Sequence, residues 1–342
     1  MSNPTKTALI TGANSGVGFE AARLLGLDPS YGRVYLAVRS QAKGVAARSR
    51  LAQLCGCDEG KFEVLTIDVS SAESTREALG LLFAARPELK FDYVLLNAGR
   101  VGGVELERTA DSIDVAYAAT LVGHHIIALD VLDRGALRSG ATIVIAGAEA
   151  ARGTLSGMTL RDVHALASER YEGDLSQATT ALLRGEAPGT YDARGDLATL
   201  KAFAVWWAAA LARRLESRHI DAKVFSVSPG GTPETNGPQY LPFPMRVVLK
   251  ILTPILKLAG QAHSVPKAAQ RYIDVLSRPT SDSGKFFASP HEKGIGALTD
   301  NTALYGHFRD EALQEAVFAS LQQVTGASME LHPRTTAAAE AS

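Results

Sequence analysis

The sequence is short of cysteine. Two occur in 342 residues, Cys55 and Cys57, in a CGC triplet. One such pair cannot staple a fold of this size, so a disulfide scaffold is excluded and a reducing cytoplasm is expected. No further Cys or His stands at ligand spacing beside them, so no metal is expected. Excess charge is also missing: 35 basic residues against 36 acidic ones leave a formal charge of −1. That removes any electrostatic reason to expect nucleic acid. The opening MSNPTKTALITG lacks the charged and apolar blocks of a secretion signal. No uninterrupted apolar run reaches membrane-spanning length. The nearest, residues 240–260, holds three prolines with Arg246, Lys250 and Lys257, which argues against a spanning helix. Peripheral membrane contact by this segment is a weak expectation.

What is present is 46% apolar residues, enough to bury a large core. Short β-branched runs alternate with helix-length stretches, the pattern of a parallel sheet covered by helices. Strands are expected at 7–10, 34–38, 62–67, 93–96, 142–146 and 223–227, with 284–289 as an edge strand. Helices are expected at 16–27, 41–54, 71–85, 111–132 and 197–218. The expected class is α/β, a doubly wound parallel sheet of Rossmann type, in one domain over residues 1–327. It carries an insertion at about 149–195 and an apolar lid at about 231–262, and residues 328–342 read as a disordered tail.

Several stretches carry chemistry. TGANSGVG, Thr11 to Gly18, follows the first expected strand and opens a helix. Gly12, Gly16 and Gly18 allow positive φ and close approach. With Asn14, Ser15 and Val17 they present helix N-terminal N–H groups to a pyrophosphate. After the second strand stands Arg39, where an NAD-selective site carries an acid. Arginine there favours a ribose 2′-phosphate, so NADP(H) is expected over NAD(H). Asp68 and Val69 end the third strand, and Asn97, Ala98 and Gly99 end the fourth. Open α/β sheets bind ligands at those carboxyl ends. Asp68 can accept from an adenine amino group, Val69 can pack on the ring, and the NAG backbone can lie along the ribose.

TGxxxGxG, then DV, then NAG, then a lysine on a long helix, then SPGG: this ordered set resembles the short-chain dehydrogenase/reductase family. Residues 228–289 are similar to its protochlorophyllide reductase and retinol dehydrogenase branch. The resemblance implies that Lys201 binds the nicotinamide ribose, with Pro229, Gly230 and Thr232 also at the cofactor. It further implies a tyrosine acid four residues before the lysine, a serine ending the fifth strand, and an asparagine in the fourth helix. Here Leu197 stands at the tyrosine position, Gly147 or Ala148 at the serine position, and Thr120 at the asparagine position. The cofactor set is kept while the proton-transfer set is replaced. Losing a general acid costs about 10²–10⁴ in rate. Substitutes are sought among Glu149, Asp162, His164, Tyr171 and Tyr191 in the insertion, and His124 and His125 on the fourth helix. Tyr191 and His164 stand foremost.

The expectation is therefore an NADP(H)-binding oxidoreductase of a lipophilic small molecule, with the lid covering a bulky apolar substrate. Two other readings compete: a non-redox cyclase, isomerase or ligand-binding pseudo-enzyme, and an interaction scaffold. Trp206 and Trp207 are adjacent on one helix and cannot both face one side. One is expected at the subunit interface of a homodimer.

Overall fold

The apolar runs close into one sheet. The computed structural model describes residues 5–330 except 104, 156, 188, 190, 192, 233–262 and 292. Its strands are β1 Lys6–Thr11, β2 Tyr31–Val38, β3 Phe62–Thr66, β4 Phe91–Leu96, β5 Leu137–Ala146, β6 Ala222–Val227, β7 Phe286–Ala288 and β8 Thr299–Asp300. Their spatial order is β3-β2-β1-β4-β5-β6-β7-β8. Every neighbouring pair is parallel except β7 with β8. The order reverses between β1 and β4, which opens a crevice at their carboxyl ends. Central strands are buried on both faces, as at Ala8, Leu9 and Ile10. That is why they read as continuous apolar runs. β8 has two half-buried polar residues and carries no such signal.

The helices are α1 Gly16–Leu27, α2 Gln41–Cys55, α3 Ala72–Ala85, α4 Val115–Asp133, α5 Val163–Arg170, α6 Leu175–Leu183, α7 Ala193–Ser217, α8 Val265–Asp274 and α9 Glu311–Thr325. Residues of α1, α2 and α8 share one apolar cluster, while those of α3, α4, α7 and α9 share the other. By length and composition alone α4 could cross a membrane, with a mean hydropathy of 1.5. However, 78% of that window is buried inside the protein, so it serves as a core helix.

Three expectations need correction. First, the helix expected from 197 begins at Ala193 as α7, within the insertion at about 149–195, which also contains α5 and α6. Asp162 and Asp174 start the two short helices by accepting N–H groups from Ala165 and from Ser176 and Gln177. Second, neither tryptophan faces a partner. Trp206 is 1% exposed and Trp207 0%. Trp206 Nε1 donates to the His307 carbonyl, and Trp207 Nε1 donates to His125 Nδ1. The chain's own C-terminal segment covers one side of α7, so two faces are buried rather than one. Third, residues 328–330 are not tail. Met329 is buried and its carbonyl accepts from Arg214 Nε at 2.6 Å. Residues 331–342, and the lid from 233 to 262, lie outside the described residues.

Candidate active site

Four residues turn the chain from β1 into α1. Gly12 and Gly16 have φ of 68° and 59°, a region that costs glycine little. Gly18 is needed for a different reason. A Cβ there would lie 2.5 Å from Asn97 Nδ2 and 2.6 Å from the Gly12 carbonyl oxygen. Ser15, at the N-cap of α1, makes no side-chain capping bond, and no acid occupies the first turn. Among the described residues the N–H groups at Gly16 and Val17 thus have no capping side chain, the arrangement that suits an anion. Asn14 is half-buried on the same turn.

Thr11 ties this turn to the NAG segment. Its Oγ1 accepts the N–H groups of Asn97 and Ala98, each at 2.9 Å, and donates to His124 Nε2 at 2.9 Å. Asn97 Nδ2 donates to the Thr11 carbonyl at 3.0 Å. His124 Nδ1–H completes the chain by donating to the Thr120 carbonyl at 2.8 Å, within a π turn spanning Ala118–Val122. Burial lowers the His124 pKa to about 3, so this imidazole is a neutral brace. Thr11 and His124 were not assigned this role from sequence, and Gly123 was not singled out. Gly123 lets α4 pass Val69: its N–H donates to the Val69 carbonyl at 2.9 Å, and a Cβ would strike the Val69 backbone. A glycine inside so apolar a helix was the available signal. A Gly18→Ala substitution is expected to push Asn97 away, at a cost of about 1–3 kcal/mol. Denaturation midpoints with and without NADPH would measure it. An unchanged midpoint and unchanged cofactor affinity would show that the close approach is dispensable.

The other end of the crevice carries Lys201. Its Nζ donates to the Ala146 carbonyl at 2.9 Å, where β5 ends, and burial lowers its pKa to about 8. Leu197 lies one turn earlier on α7 and is half-buried. Beside it is a cavity of about 10 Å³ lined by Gly102, Asp114, Ala116, Tyr117, Tyr191, Asp196, Leu197 and Leu200. Tyr191 and Leu197 thus line the same cavity. Burial, reinforced by Asp114, pushes the Tyr191 phenol up to about 12. Thr120 is buried, and its Oγ1 has no partner among the described residues. This hydroxyl faces Gly99, lying 3.3 Å from where a Cβ would stand. At Gly147 a Cβ would be 2.7 Å from Ser226 Oγ and 2.8 Å from Phe286 Cε2. Serine there would force a rearrangement, and the next residue, half-buried Ala148, offers no hydroxyl.

His164 does not reach this site. It is exposed on α5, and its Nε2 lies 2.7 Å from Asp310 Oδ2, the carboxylate that caps α9. The expectation that it supplies a proton is corrected, because its ring is exposed and tied to Asp310 at the start of α9. Glu149 is engaged elsewhere too. Its carboxylate accepts from Ser228 Oγ at 2.5 Å and from Ser289 Oγ at 2.7 Å, and sits 3.7 Å from Arg271. This buried network underlies the SPGG turn. His263 accepts the Gly296 N–H on Nε2 and donates Nδ1–H to the Pro229 carbonyl at 3.1 Å. Gly230 has φ 81°, and a Cβ there would strike His263 and Arg271. Thr232 Oγ1 donates to the Gly230 carbonyl at 2.9 Å.

At the adenine end, Asp68 Oδ1 accepts from Ser70 N and Oγ at 3.0 and 2.7 Å, and Val69 is buried. Arg39 is exposed directly after β2, and among the described residues its guanidinium makes no hydrogen bond or ion pair. Among the described residues no three His, Cys, Asp or Glu side chains gather as a metal site.

The short chain dehydrogenase family model matches residues 6–159. Over these residues the chain is similar to the short-chain dehydrogenases. The matched stretch includes the glycine turn, Asp68, the NAG segment and Thr120, while Lys201 and SPGG lie beyond it. Residues 228–289, which carried the likeness to the retinol dehydrogenase branch, also lie beyond it. The short-chain dehydrogenase anuD of Penicillium roqueforti is 47% identical over 96 residues, 28% of this chain and 23% of that protein. The chain therefore spans about a quarter of that relative's length. The fold matches a crystal structure of an uncharacterized protein from Mycobacterium paratuberculosis, with a TM-score of 0.64 at 19% identity, covering 96% of this chain and 98% of the other. It also matches a short chain dehydrogenase from Burkholderia cenocepacia J2315 in complex with NADP, with a TM-score of 0.53 at 20% identity, covering 82% and 94%. At these identities the likeness establishes the Rossmann-type fold.

Proposed function

We propose that the protein is an NADP(H)-dependent oxidoreductase of a lipophilic small molecule, with its proton donor moved away from position 197. The observation that carries this reading is Lys201, held at the end of β5 across the crevice from an assembled glycine turn. A bound nicotinamide would supply or accept the hydride. The turn from Gly12 to Gly18 would hold the pyrophosphate, Asp68 and Val69 the adenine, and Lys201 the ribose. Arg39, exposed and without a partner among the described residues, suits a 2′-phosphate. The NADP bound in the Burkholderia relative supports the same preference. Tyr191 is the notable phenol at the new donor position, beside Leu197. The apolar stretch 233–262 follows the SPGG turn directly and supports a lipophilic substrate. A non-redox use of the site, as an isomerase or a binding protein, is favoured by one observation only: hydroxyls are missing at Leu197, Gly147 and Ala148.

Fluorescence titration tests the cofactor. NADPH is expected to bind at least about tenfold tighter than NADH, and Arg39→Ala to erase that preference, a change of about 1.4 kcal/mol. Equal affinities in the unaltered protein would overturn the NADP assignment. Failure of both nucleotides to bind at millimolar concentration would overturn the oxidoreductase reading itself.

A further inference from the structure

The cavity beside Leu197 has a polar wall that the reading above leaves unused. Tyr117, on α4, is 3% exposed, and its hydroxyl has no hydrogen-bond partner among the described residues. Such a buried orphan is costly to keep, and native proteins hold few of them. Its ring is fixed edge-on against Phe203, with centroids 5.4 Å apart at 73°. The hydroxyl therefore cannot swing toward another partner without unpacking the core. It shares the cavity with Asp114, Tyr191 and Asp196. Asp196 is tied to Arg161 at 2.9 Å, and Asp114 Oδ1 caps α4 by accepting the Ala116 N–H at 2.7 Å. A volume of about 10 Å³ is close to what a single water fills, and the four polar side chains supply the two to four partners a buried water needs.

We propose that this cavity is a proton-delivery site replacing the tyrosine lost at Leu197: Tyr117 holds one water against Leu197, and that water protonates the substrate oxygen. The proposal rests on the hydride-transfer reading. In a reduction, hydride from the reduced nicotinamide cofactor adds to the carbonyl carbon of the substrate. The C=O π pair moves to oxygen, and oxygen takes a proton from the water. The water takes the Tyr117 hydroxyl proton as it gives its own. Tyr117 is refilled from Tyr191, which is half-buried and reaches solvent. The carbonyl is reduced, the cofactor is oxidised, one proton enters from solvent, and no phenolate accumulates. Tyr117 is a positioning residue in this scheme, because it acts through the water. Burial raises both phenols, Tyr191 to about 12, so the relay keeps its protons throughout the neutral range.

Tyr117→Phe tests the scheme, since it keeps the ring against Phe203. NADPH-dependent reduction of lipophilic aldehydes, ketones and enones is expected to fall about 10²-fold or more. The solvent deuterium isotope effect on kcat should rise as proton delivery becomes limiting, while the NADPH dissociation constant stays within twofold. A crystal structure of the NADP-bound protein should show a water within about 3.2 Å of Tyr117 Oη. A rate for Tyr117→Phe within twofold of the unaltered protein would overturn the relay, and so would a dry cavity in an active enzyme. An unaltered protein that binds NADPH but reduces nothing in the panel would overturn the hydride-transfer reading, and the relay with it.

Discussion

Glu149→Ala is expected to lower the unfolding free energy by about 3–5 kcal/mol, because it strands a buried guanidinium. Glu149 and Arg271 are both almost fully buried, and their charged atoms are 3.7 Å apart. Arg271 reaches Ser289 Oγ with two nitrogens at 3.2 Å, and Ser289 donates its hydroxyl and its N–H to Glu149. Arg152 also enters this region, but its partners there are neutral: Asn301 Oδ1 and the carbonyls of Lys293 and Ser289. Arg271 is thus the guanidinium that relies on this carboxylate. Removing the carboxylate leaves that cation in a poor solvent, and burial already pulls the Arg271 pKa down. Glu149→Gln keeps the shape and should lose less. Glu149→Ala combined with Arg271→Met should regain most of the loss, since the pair is then absent rather than broken. Urea midpoints for the set would decide it. A loss below about 1 kcal/mol for Glu149→Ala, or no recovery in the double variant, would mean that water screens the network. Because the network underlies Pro229 and Gly230, cofactor affinity should fall with stability in Glu149→Ala.

Much of this architecture was legible in the residues, and the parts that were not have physical causes. Strands and cofactor helices announce themselves by apolar periodicity and turn glycines, so α1 came out at Gly16–Leu27 in both readings. Arg39, Asp68, Asn97 and Lys201 were found because each follows a strand or heads a helix face. α5 and α6 escaped because short helices are started by single aspartate caps within polar sequence. The tryptophan pair misled because adjacency on one helix excludes a single buried face, not two, and only the fold shows His307 against Trp206 and His125 of α4 against Trp207. Glu149 was read as a spare acid, since a buried carboxylate with three donors looks like any other glutamate in a string of letters. Tyr117 was invisible for the converse reason. An aromatic at that spacing is an ordinary core residue until its hydroxyl is found without a partner.

Lowering the pH from about 7 to about 5 is expected to remove about 2 kcal/mol of stability through each of His124 and His125. Both are buried. Burial lowers His124 to about 3 and His125 to about 4, below the ordinary value near 6.5 that they regain on unfolding. The unfolded chain therefore binds more protons. The contribution of each residue is complete above about 6.5 and is lost as pH falls from there toward the folded value, by about 1.4 kcal/mol per pH unit per histidine. His307, lowered to about 4 by burial, adds in the same direction. Asp310 and Glu315 are held below their usual values, so their contributions are lost only in stronger acid. Asp114, raised by burial, opposes the trend. Hydrogen bonding explains why the imidazoles resist protonation. Trp207 Nε1–H occupies His125 Nδ1, and Thr11 Oγ1–H occupies His124 Nε2, so an added proton would set two donors against each other. His125→Phe keeps a flat ring between Trp207 and Phe318 and removes one titrating group. The slope between about pH 6 and 5 should fall by about 1.4 kcal/mol per unit. Thr11 holds the NAG segment through the same hydroxyl that meets His124, so protonating His124 should loosen the cofactor turn before the chain unfolds. Loss of NADPH affinity should then precede loss of helical signal on acid titration. A stability profile flat from pH 7 to 5 would show that neither histidine is held neutral by the fold.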